Sequence, residues 1–377
     1  MALDGRFRVG FVMRILFVPE VELVATSERT PSLYRMLMED HEVIGLRSPM
    51  DRIVFDPSRA TWPRYLLYPL YILVLALQGA RVARRHHVDL VFCETAHHAL
   101  AGLIVAKALR IHGVWDSHTN IELLATSLGK GPVFSVLSAA LERFLGSHVD
   151  AVITPTERDA FGYVQMGVPR SKVHVVRTFV KLPDDSRIAP ATREPPARPS
   201  ASPILLFFGS FKYAPNREAL EYIDRVLAPS LGKKGFHGEI RIAGRDIPGF
   251  AFHPSIRVLG FVPHLLEAIR SADLCIVPVW HGAGVLTKVL DCMAAGVPTV
   301  LSPFAADGVP EVRDGVHAYV ARDQERFPDR VLEALRSASQ WRGIASAARE
   351  LIETHYSWES QKRRLEDVLR VAMTSRE

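Results

Sequence analysis

Residues 272–302 read ADLCIVPVWHGAGVLTKVLDCMAAGVPTVLS, and this stretch decides the fold class. It predicts a buried strand at Leu274–Val277, a turn that contains Gly282 and Gly284, an amphipathic helix, and a second strand at Thr299–Leu301. A strand, a helix and a strand in this order form one unit of a parallel α/β sheet. Ligands of such sheets bind at the carboxyl ends of the strands, so we expect a binding site in the glycine-bearing turn.

The start of the predicted helix has the features of a phosphate site. Its first backbone N–H groups point outward, and the helix dipole adds partial positive charge there. Lys288 stands near the helix start as a full positive charge, and Asp291 follows three residues later as an acceptor for hydroxyl groups. This pairing indicates a nucleotide or a nucleotide sugar. The alternative is a surface lysine that pairs with Asp291 and binds no ligand.

Short apolar runs alternate with helical patterns over most of the chain, which predicts two doubly wound parallel sheets. Helices are expected near Leu100–Arg110 and Val133–Leu145. The remaining predicted strands are Ile15–Pro19, Glu42–Leu46, Leu90–Cys93, Gly113–Asp116, Ala151–Thr154, Ile204–Gly209, Glu239–Ala243, Arg257–Leu259 and His317–Ala321.

A proline-rich segment at residues 182–203 divides the 377-residue chain and reads as a linker. It separates a first domain, residues 1–181, from a second domain, residues 204–355. A strand begins near Met13, so we expect residues 1–12 to be a dispensable extension. Two α/β halves joined in this way predict a cleft between facing strand ends, which suits an enzyme with two substrates.

The net charge and the cysteine content limit which binding partners and which cell compartment are expected. The net charge is only +5 and is not gathered into one basic arm, which disfavours nucleic acid and favours an anionic donor or membrane surface. Cys93, Cys275 and Cys292 are odd in number and form no CxxC pair. This pattern indicates a reducing, cytoplasmic location.

The stretch Tyr65–Leu77 is almost wholly apolar and lies within Trp62–Arg85, a segment with arginines near both ends. Thirteen residues cannot cross about 30 Å of hydrocarbon as a helix. One interpretation is a buried helix. The other is a helix in a membrane interface, which would place the protein peripherally on the inner membrane face.

The segment 272–302 resembles the donor-binding motif of glycosyltransferase family 4, whose members are retaining enzymes with the GT-B fold of two facing Rossmann-like domains. The shared residues are Pro278, Gly282, Gly284, Asp291 and the run MAAGVPTV at 293–300. Further likeness at residues 208–216, 150–157 and 356–359 extends the resemblance to roughly residues 13–372. It implies that a helix near Trp358–Met373, within residues 356–377, crosses back onto the first domain.

The resemblance implies transfer of a sugar from a UDP- or GDP-linked donor to an acceptor hydroxyl, with retention. The acceptor could be a lipid-linked intermediate, a polysaccharide or a small molecule, as in cell-envelope or polysaccharide biosynthesis. Neither a protein nucleophile nor a metal or other cofactor is expected, and the sequence has no DxD triplet.

The resemblance also assigns roles to individual residues. Lys288 would hold the diphosphate, Asp291 would stand in for the glutamate that binds ribose hydroxyls, and His118 would bind the transferred sugar or the acceptor. Asn216 would either cap a helix or face the donor. The other residues expected around the donor are Gly209, Lys212, Gly244, Val262, Pro263, Gly282, Gly284 and Val285.

The chain departs from the family pattern at several of these positions. Ala283 replaces a first glutamate, and the turn 210–216 lacks the usual arginine and lysine pair. Residues 19–23, PEVEL, replace a glycine-rich loop. These departures leave a second interpretation open, a non-catalytic GT-B-fold partner of another glycosyltransferase. A sugar-nucleotide epimerase is a weaker third interpretation.

Overall fold

The computed structural model describes residues 12–19, 29–48, 50, 61–118, 132–180, 182, 202–282 and 285–374, without the side chains of 61–66 and 132–134. The chain forms two compact units. Unit 1 comprises residues 1–176 and 362–377, and unit 2 comprises residues 177–361. Residues 1–11, most of the predicted linker and the 20–23 part of the first loop lie outside the described residues.

The described part of unit 1 contains a six-stranded parallel sheet in the order β2-β1-β3-β4-β5-β6. Its strands are β1 Arg14–Val18, β2 Glu42–Gly45, β3 Leu90–Glu94, β4 His112–Asp116, β5 Ala151–Thr154 and β6 Val173–Val175. Its helices are α1 Arg29–Met38, α2 Thr61–His86, α3 Ala96–Leu109, α4 Pro132–His148 and α5 Glu157–Gln165. Helices α2 to α5 pack side by side in chain order, as right-handed crossovers between successive strands require.

The described part of unit 2 contains a second six-stranded parallel sheet, in the order β12-β11-β10-β7-β8-β9. Its strands are β7 Ile204–Ser210, β8 Glu239–Arg245, β9 Ile256–Gly260, β10 Leu274–Val277, β11 Thr299–Leu301 and β12 Tyr319–Val320. Its helices are α6 Ala214–Tyr222, α7 Ala228–Lys233, α8 Leu265–Arg270, α9 Thr287–Ala294, α10 Pro303–Asp307, α11 Phe327–Arg336 and α12 Trp341–His355.

The last helix, α13 Trp358–Thr374, begins in unit 2 and continues in unit 1. The Nζ atom of its Lys362 lies 2.6 Å from Oε2 of Glu39 and 2.8 Å from Oδ2 of Asp40. These two acidic residues directly follow α1. One turn later Glu366 lies 3.0 Å from His41. These contacts fix the helix on the first unit, as the family resemblance implies.

The observed elements confirm the predicted α/β class, with small differences in the strand boundaries. One strand was missed, since β6 Val173–Val175 follows β5 in the same sheet. The apolar stretch Tyr65–Leu77 is only the middle of the 26-residue helix α2. Among the described residues, no helix combines the length and the apolar character needed to span a membrane.

Candidate active site

Lys288 lies against β7, at the carboxyl ends of the strands of unit 2. Lys288 is the second residue of α9 and is buried, with Nζ 4.4 Å from the centroid of the Phe207 ring. Nζ also donates to Oδ1 of Asn216, and Nδ2 of Asn216 donates to the carbonyl oxygen of Ser210 at 2.8 Å. The interpretation of Lys288 as a surface lysine is therefore wrong.

Gly209 leaves the space that this arrangement needs. A Cβ atom at Gly209 would lie 2.8 Å from Nδ2 of Asn216 and 3.1 Å from Nζ of Lys288. Asn216 is the third residue of α6, whose N-cap is Tyr213. Asn216 is thus not the N-cap residue of α6. Its side chain closes the turn 210–216 on Ser210 and ties Lys288 to the end of β7.

Burial makes the charge of Lys288 sensitive to its surroundings. Burial lowers the pKa of Lys288 to about 7, against smaller opposing effects of Cys292 and Asp291. Burial also raises the pKa of Asp291 to about 7, and Lys288 opposes that rise. Because an anion beside Nζ would favour the charged ammonium, the binding of a phosphate here would be coupled to proton uptake.

The turn between β10 and α9 lies against the side chain of Tyr213. Gly282 has a φ of +145°, and a Cβ atom there would lie 2.5 Å from the Tyr213 hydroxyl. A side chain at this position would displace the Tyr213 ring and strain the backbone, because this φ favours glycine. Val285 lies just before α9 and is half-buried, whereas Gly284 lies outside the described residues.

The ends of β8 and β9 carry a pair of side chains that sequence reasoning missed. The guanidinium of Arg245 lies 4.5 Å from the centroid of the exposed Phe261 ring. Phe261 directly precedes the predicted site residues Val262 and Pro263, and Gly244 directly precedes Arg245. An arginine on an exposed aromatic ring offers a flat surface for a base.

Lys212 does not join Lys288 in the structure. Its side chain is 80% exposed, and its Nζ lies 3.9 Å from Oδ1 of Asp246. Such an exposed pair contributes little to stability and leaves the lysine accessible. Of the two predicted lysines, only Lys288 is held in place by the fold.

In unit 1, His118 follows the carboxyl end of β4. Arg29 of α1 donates to both oxygens of Asp116, over 2.9 and 2.6 Å, and both side chains are buried. Burial alone would raise the pKa of Asp116, but Arg29 and His118 outweigh it and lower that pKa to about 2. His118 Nε2 lies 3.4 Å from Oδ2 of Asp116.

A buried hydrogen-bond chain supports the turn that carries His118. The Ser117 hydroxyl lies 2.6 Å from the Tyr163 hydroxyl, which donates to Oε1 of Glu142 over 2.6 Å. The Ser117 amide also donates to the carbonyl oxygen of Ile153 over 2.8 Å. The side chain and the backbone of Ser117 are thus both hydrogen-bonded to neighbouring elements. The following residues, 119–122, lie outside the described residues.

The residues that could hold a metal ion lie in this same place. Within the described residues, one group of three or more potential ligands clusters, Glu94, Asp116 and His118, with ligand atoms within 4.8 Å of one another. Sequence reasoning missed Glu94, because it is 22 and 24 residues from the other two. Its position at the end of a predicted strand next to β4 was the available signal.

Comparisons with known proteins identify the family of the chain. A family model described as "Glycosyl transferases group 1" matches residues 202–337, and another, "Glycosyl transferase 4-like domain", matches residues 18–178. Together they match most of the chain. The chain is a glycosyltransferase of the family 4 type. No curated protein matches its sequence.

Solved structures show the GT-B fold of this glycosyltransferase. HepE of Anabaena, in complex with UDP-glucose, matches with a TM-score of 0.68 and 13% identity, over 95% of this chain and 99% of that one. A glycosyltransferase from Rickettsia africae matches with a TM-score of 0.70 and 13% identity, over 96% and 99%. Sucrose-phosphate synthase from Thermosynechococcus elongatus matches with a TM-score of 0.68 and 13% identity, over 95% and 98%.

Proposed function

We propose that the glycosyltransferase moves a sugar from a UDP- or GDP-sugar to an acceptor hydroxyl, with retention of the anomeric configuration. The observation that carries this proposal is the buried Lys288, held by Asn216 at the end of β7 with Asp291 one turn further along α9. The UDP-glucose complex of HepE supports UDP as the first nucleotide to test. Retention is proposed from the likeness of the 272–302 motif to that of a retaining family.

In this proposal the protein acts mainly by electrostatic stabilisation. The ammonium of Lys288 neutralises the departing diphosphate, and Asp291 accepts hydrogen bonds from the ribose hydroxyls. Arg245 and Phe261 support the base, and His118 hydrogen-bonds the transferred sugar or the acceptor. Since Lys288 supplies the positive charge at the diphosphate, we propose that the transfer needs no metal ion.

Hydrolysis of the donor tests the proposal without knowledge of the acceptor, because water can replace it. We expect the protein to release UDP or GDP from one of the common nucleotide sugars. NMR spectra of the first product formed should show the α-anomer from an α-linked donor. Release of the β-anomer would contradict retention, and no release from any donor would favour the non-catalytic interpretation.

We further propose that unit 1 contacts an anionic membrane surface through the layer α2 to α5. This layer exposes large apolar side chains on every helix, namely Leu70, Leu73, Leu77, Ile104, Val136, Leu137, Phe144 and Phe161. The last turns of α2, α3 and α4 carry basic residues, among them the exposed Arg84, Arg85 and Lys107. An apolar surface with a basic margin suits a bilayer interface and would bring a lipid-linked acceptor to the enzyme.

Vesicle flotation checks the membrane proposal. The wild-type protein is expected to float with vesicles that contain phosphatidylglycerol, whereas the triple variant Leu70→Ser, Leu73→Ser, Leu77→Ser should stay at the bottom of the gradient. Each replaced side chain is about half exposed, so Tm should change little. The matched control is Val226→Ser, Val258→Ser in unit 2, which should float like wild type. Equal flotation of the triple variant would refute the proposed surface.

A further inference from the structure

A groove on the surface of unit 1 lies between α4 and the turn that follows α5. Its volume is about 500 Å³, within the range of sites that bind small molecules. Ala139 and Ala140 of α4 line it, and their small side chains leave room for a ligand. Phe144 and Met166 add apolar surface. The groove can therefore hold a ligand that is partly apolar.

Arg143 and His148 supply the basic groups of this groove. Arg143 is exposed, and its guanidinium lies over the turn after α5, since a Cβ atom at Gly167 would lie 3.5 Å from its Nε and 3.6 Å from its Cζ. Nδ1 of His148 donates to the carbonyl oxygen of Phe144 over 2.7 Å, and this bond fixes the imidazole ring on α4. Both basic side chains are thus held at the groove by the fold.

The charge of the groove is positive. None of the described residues that line it is acidic. Of the acidic residues that are nearest in sequence, Glu142 is buried and accepts from the Tyr163 hydroxyl over 2.6 Å. Asp150 is buried as well and accepts from the Gly113 amide over 2.8 Å. An anion in the groove would therefore meet Arg143 with no carboxylate from the lining beside it.

The carboxyl end of α4 also lies here, and its last carbonyl groups would ordinarily disfavour an anion, because they carry partial negative charge. Lys172 offsets that charge. Its Nζ donates to the carbonyl oxygens of Ser147 and Val149, over 2.8 Å in each case. With these carbonyl groups bonded to an ammonium, the helix end does not cancel the positive charge of the groove.

The groove belongs to the layer α2 to α5 and lies far from the candidate site of unit 1. It follows the last turns of α4, which lead into the amino end of β5, whereas His118 follows the carboxyl end of β4. Val136 and Leu137 of α4 and Phe161 of α5 each expose about two thirds of their surface. A positive groove among exposed apolar side chains suits a ligand with an anionic head and apolar chains.

We propose that this groove binds the headgroup of an anionic phospholipid, with Arg143 on the phosphate and the acyl chains against the exposed apolar side chains of α4 and α5. The inference rests on the proposed function, because membrane contact would bring unit 1 to such a lipid. A guanidinium binds two phosphate oxygens at once, and a positive groove disfavours a headgroup that adds a quaternary ammonium. Since the groove is at the opposite edge of the sheet from His118, the lipid bound here anchors the enzyme and is not the acceptor.

The direct test uses a lipid that dissolves as a monomer. Dihexanoyl phosphatidylglycerol, added below its micelle concentration, should shift the ring C–H NMR signals of His148 saturably in the wild type. These signals are assigned from their absence in His148→Gln. Dihexanoyl phosphatidylcholine and inorganic phosphate at equal concentrations should give much smaller shifts. No shift with phosphatidylglycerol would overturn the proposal, and so would an equal shift with either of the other two probes.

A substitution in the groove gives the second test. Arg143→Gln should weaken the binding of dihexanoyl phosphatidylglycerol by about tenfold, the effect of losing one charged hydrogen-bonding group. Arg143→Lys should recover part of the loss, because it keeps the charge without the planar guanidinium. The matched control is Arg85→Gln, which removes an exposed arginine from the last turn of α2 and should bind the lipid like wild type. Equal weakening in Arg143→Gln and Arg85→Gln would refute a specific groove.

Flotation with phosphatidylglycerol vesicles separates this proposal from the proposed membrane contact. If the wild type floats while Arg143→Gln binds the short-chain lipid as tightly as wild type, the groove is refuted and the membrane contact is retained. If the triple variant Leu70→Ser, Leu73→Ser, Leu77→Ser floats like wild type while Arg143→Gln loses the short-chain lipid, the apolar surface of α2 is refuted and the groove is supported.

Discussion

Lys288→Met is expected to lower kcat for donor hydrolysis by about 10²–10³-fold, the effect of removing one preorganised charge from a transition state. Methionine keeps an apolar stem against Phe207 but cannot stabilise the diphosphate. The measurement is the initial rate of nucleotide release with the best donor, at saturating and subsaturating concentrations.

The control for this loss is Lys233→Met, which removes the same charge from an exposed side chain at the end of α7 in the same unit. It should retain activity within a few-fold, because its charge is screened by solvent. If the two variants lose activity equally, the effect would reflect the overall charge of unit 2, and the specific role of Lys288 would be refuted.

Asp116→Asn is expected to lower the free energy of unfolding by about 3 kcal/mol, because it leaves Arg29 buried without its counter-charge. Both side chains of this pair are at most 5% exposed. Urea denaturation followed by tryptophan fluorescence measures the change. The matched control is Glu42→Gln, which breaks the exposed Arg14–Glu42 pair and should cost less than about 1 kcal/mol. Equal losses would show that burial does not set the strength of the Arg29 pair.

The fold was predictable because its signals are local. Each buried strand is a short apolar run, and the helices between them have their own periodicity, so both sheets follow from the sequence. The strand β6 at Val173–Val175 was not predicted, because it is three residues long and half-buried at the sheet edge. The length of α2 was underestimated because its last nine residues, 78–86, are mostly polar and continue the helix without an apolar run.

The candidate site was predictable only where its residues are neighbours in sequence. Lys288 and Asp291 are three residues apart, so their spacing on a helix places them together. Asn216 is 72 residues from Lys288, and Arg29 is 87 residues from Asp116. Such contacts depend on strand order, which alternation alone does not determine. Glu94 belongs to the same class, since register pairing of β3 with β4 brings it to Asp116.

Nucleotide binding shows whether Lys288 and Asp291 form a donor site. Thermal unfolding would be recorded with UDP, GDP and ADP for the wild type, for Asp291→Ala, and for Glu333→Ala as an exposed-acid control in the same unit. One nucleotide is expected to stabilise the wild type and Glu333→Ala by about 2.7 kcal/mol at a hundredfold excess over Kd, and Asp291→Ala should lose most of this shift. No shift with any nucleotide, or an equal shift in Asp291→Ala, would mean that Lys288 and Asp291 do not form a donor site.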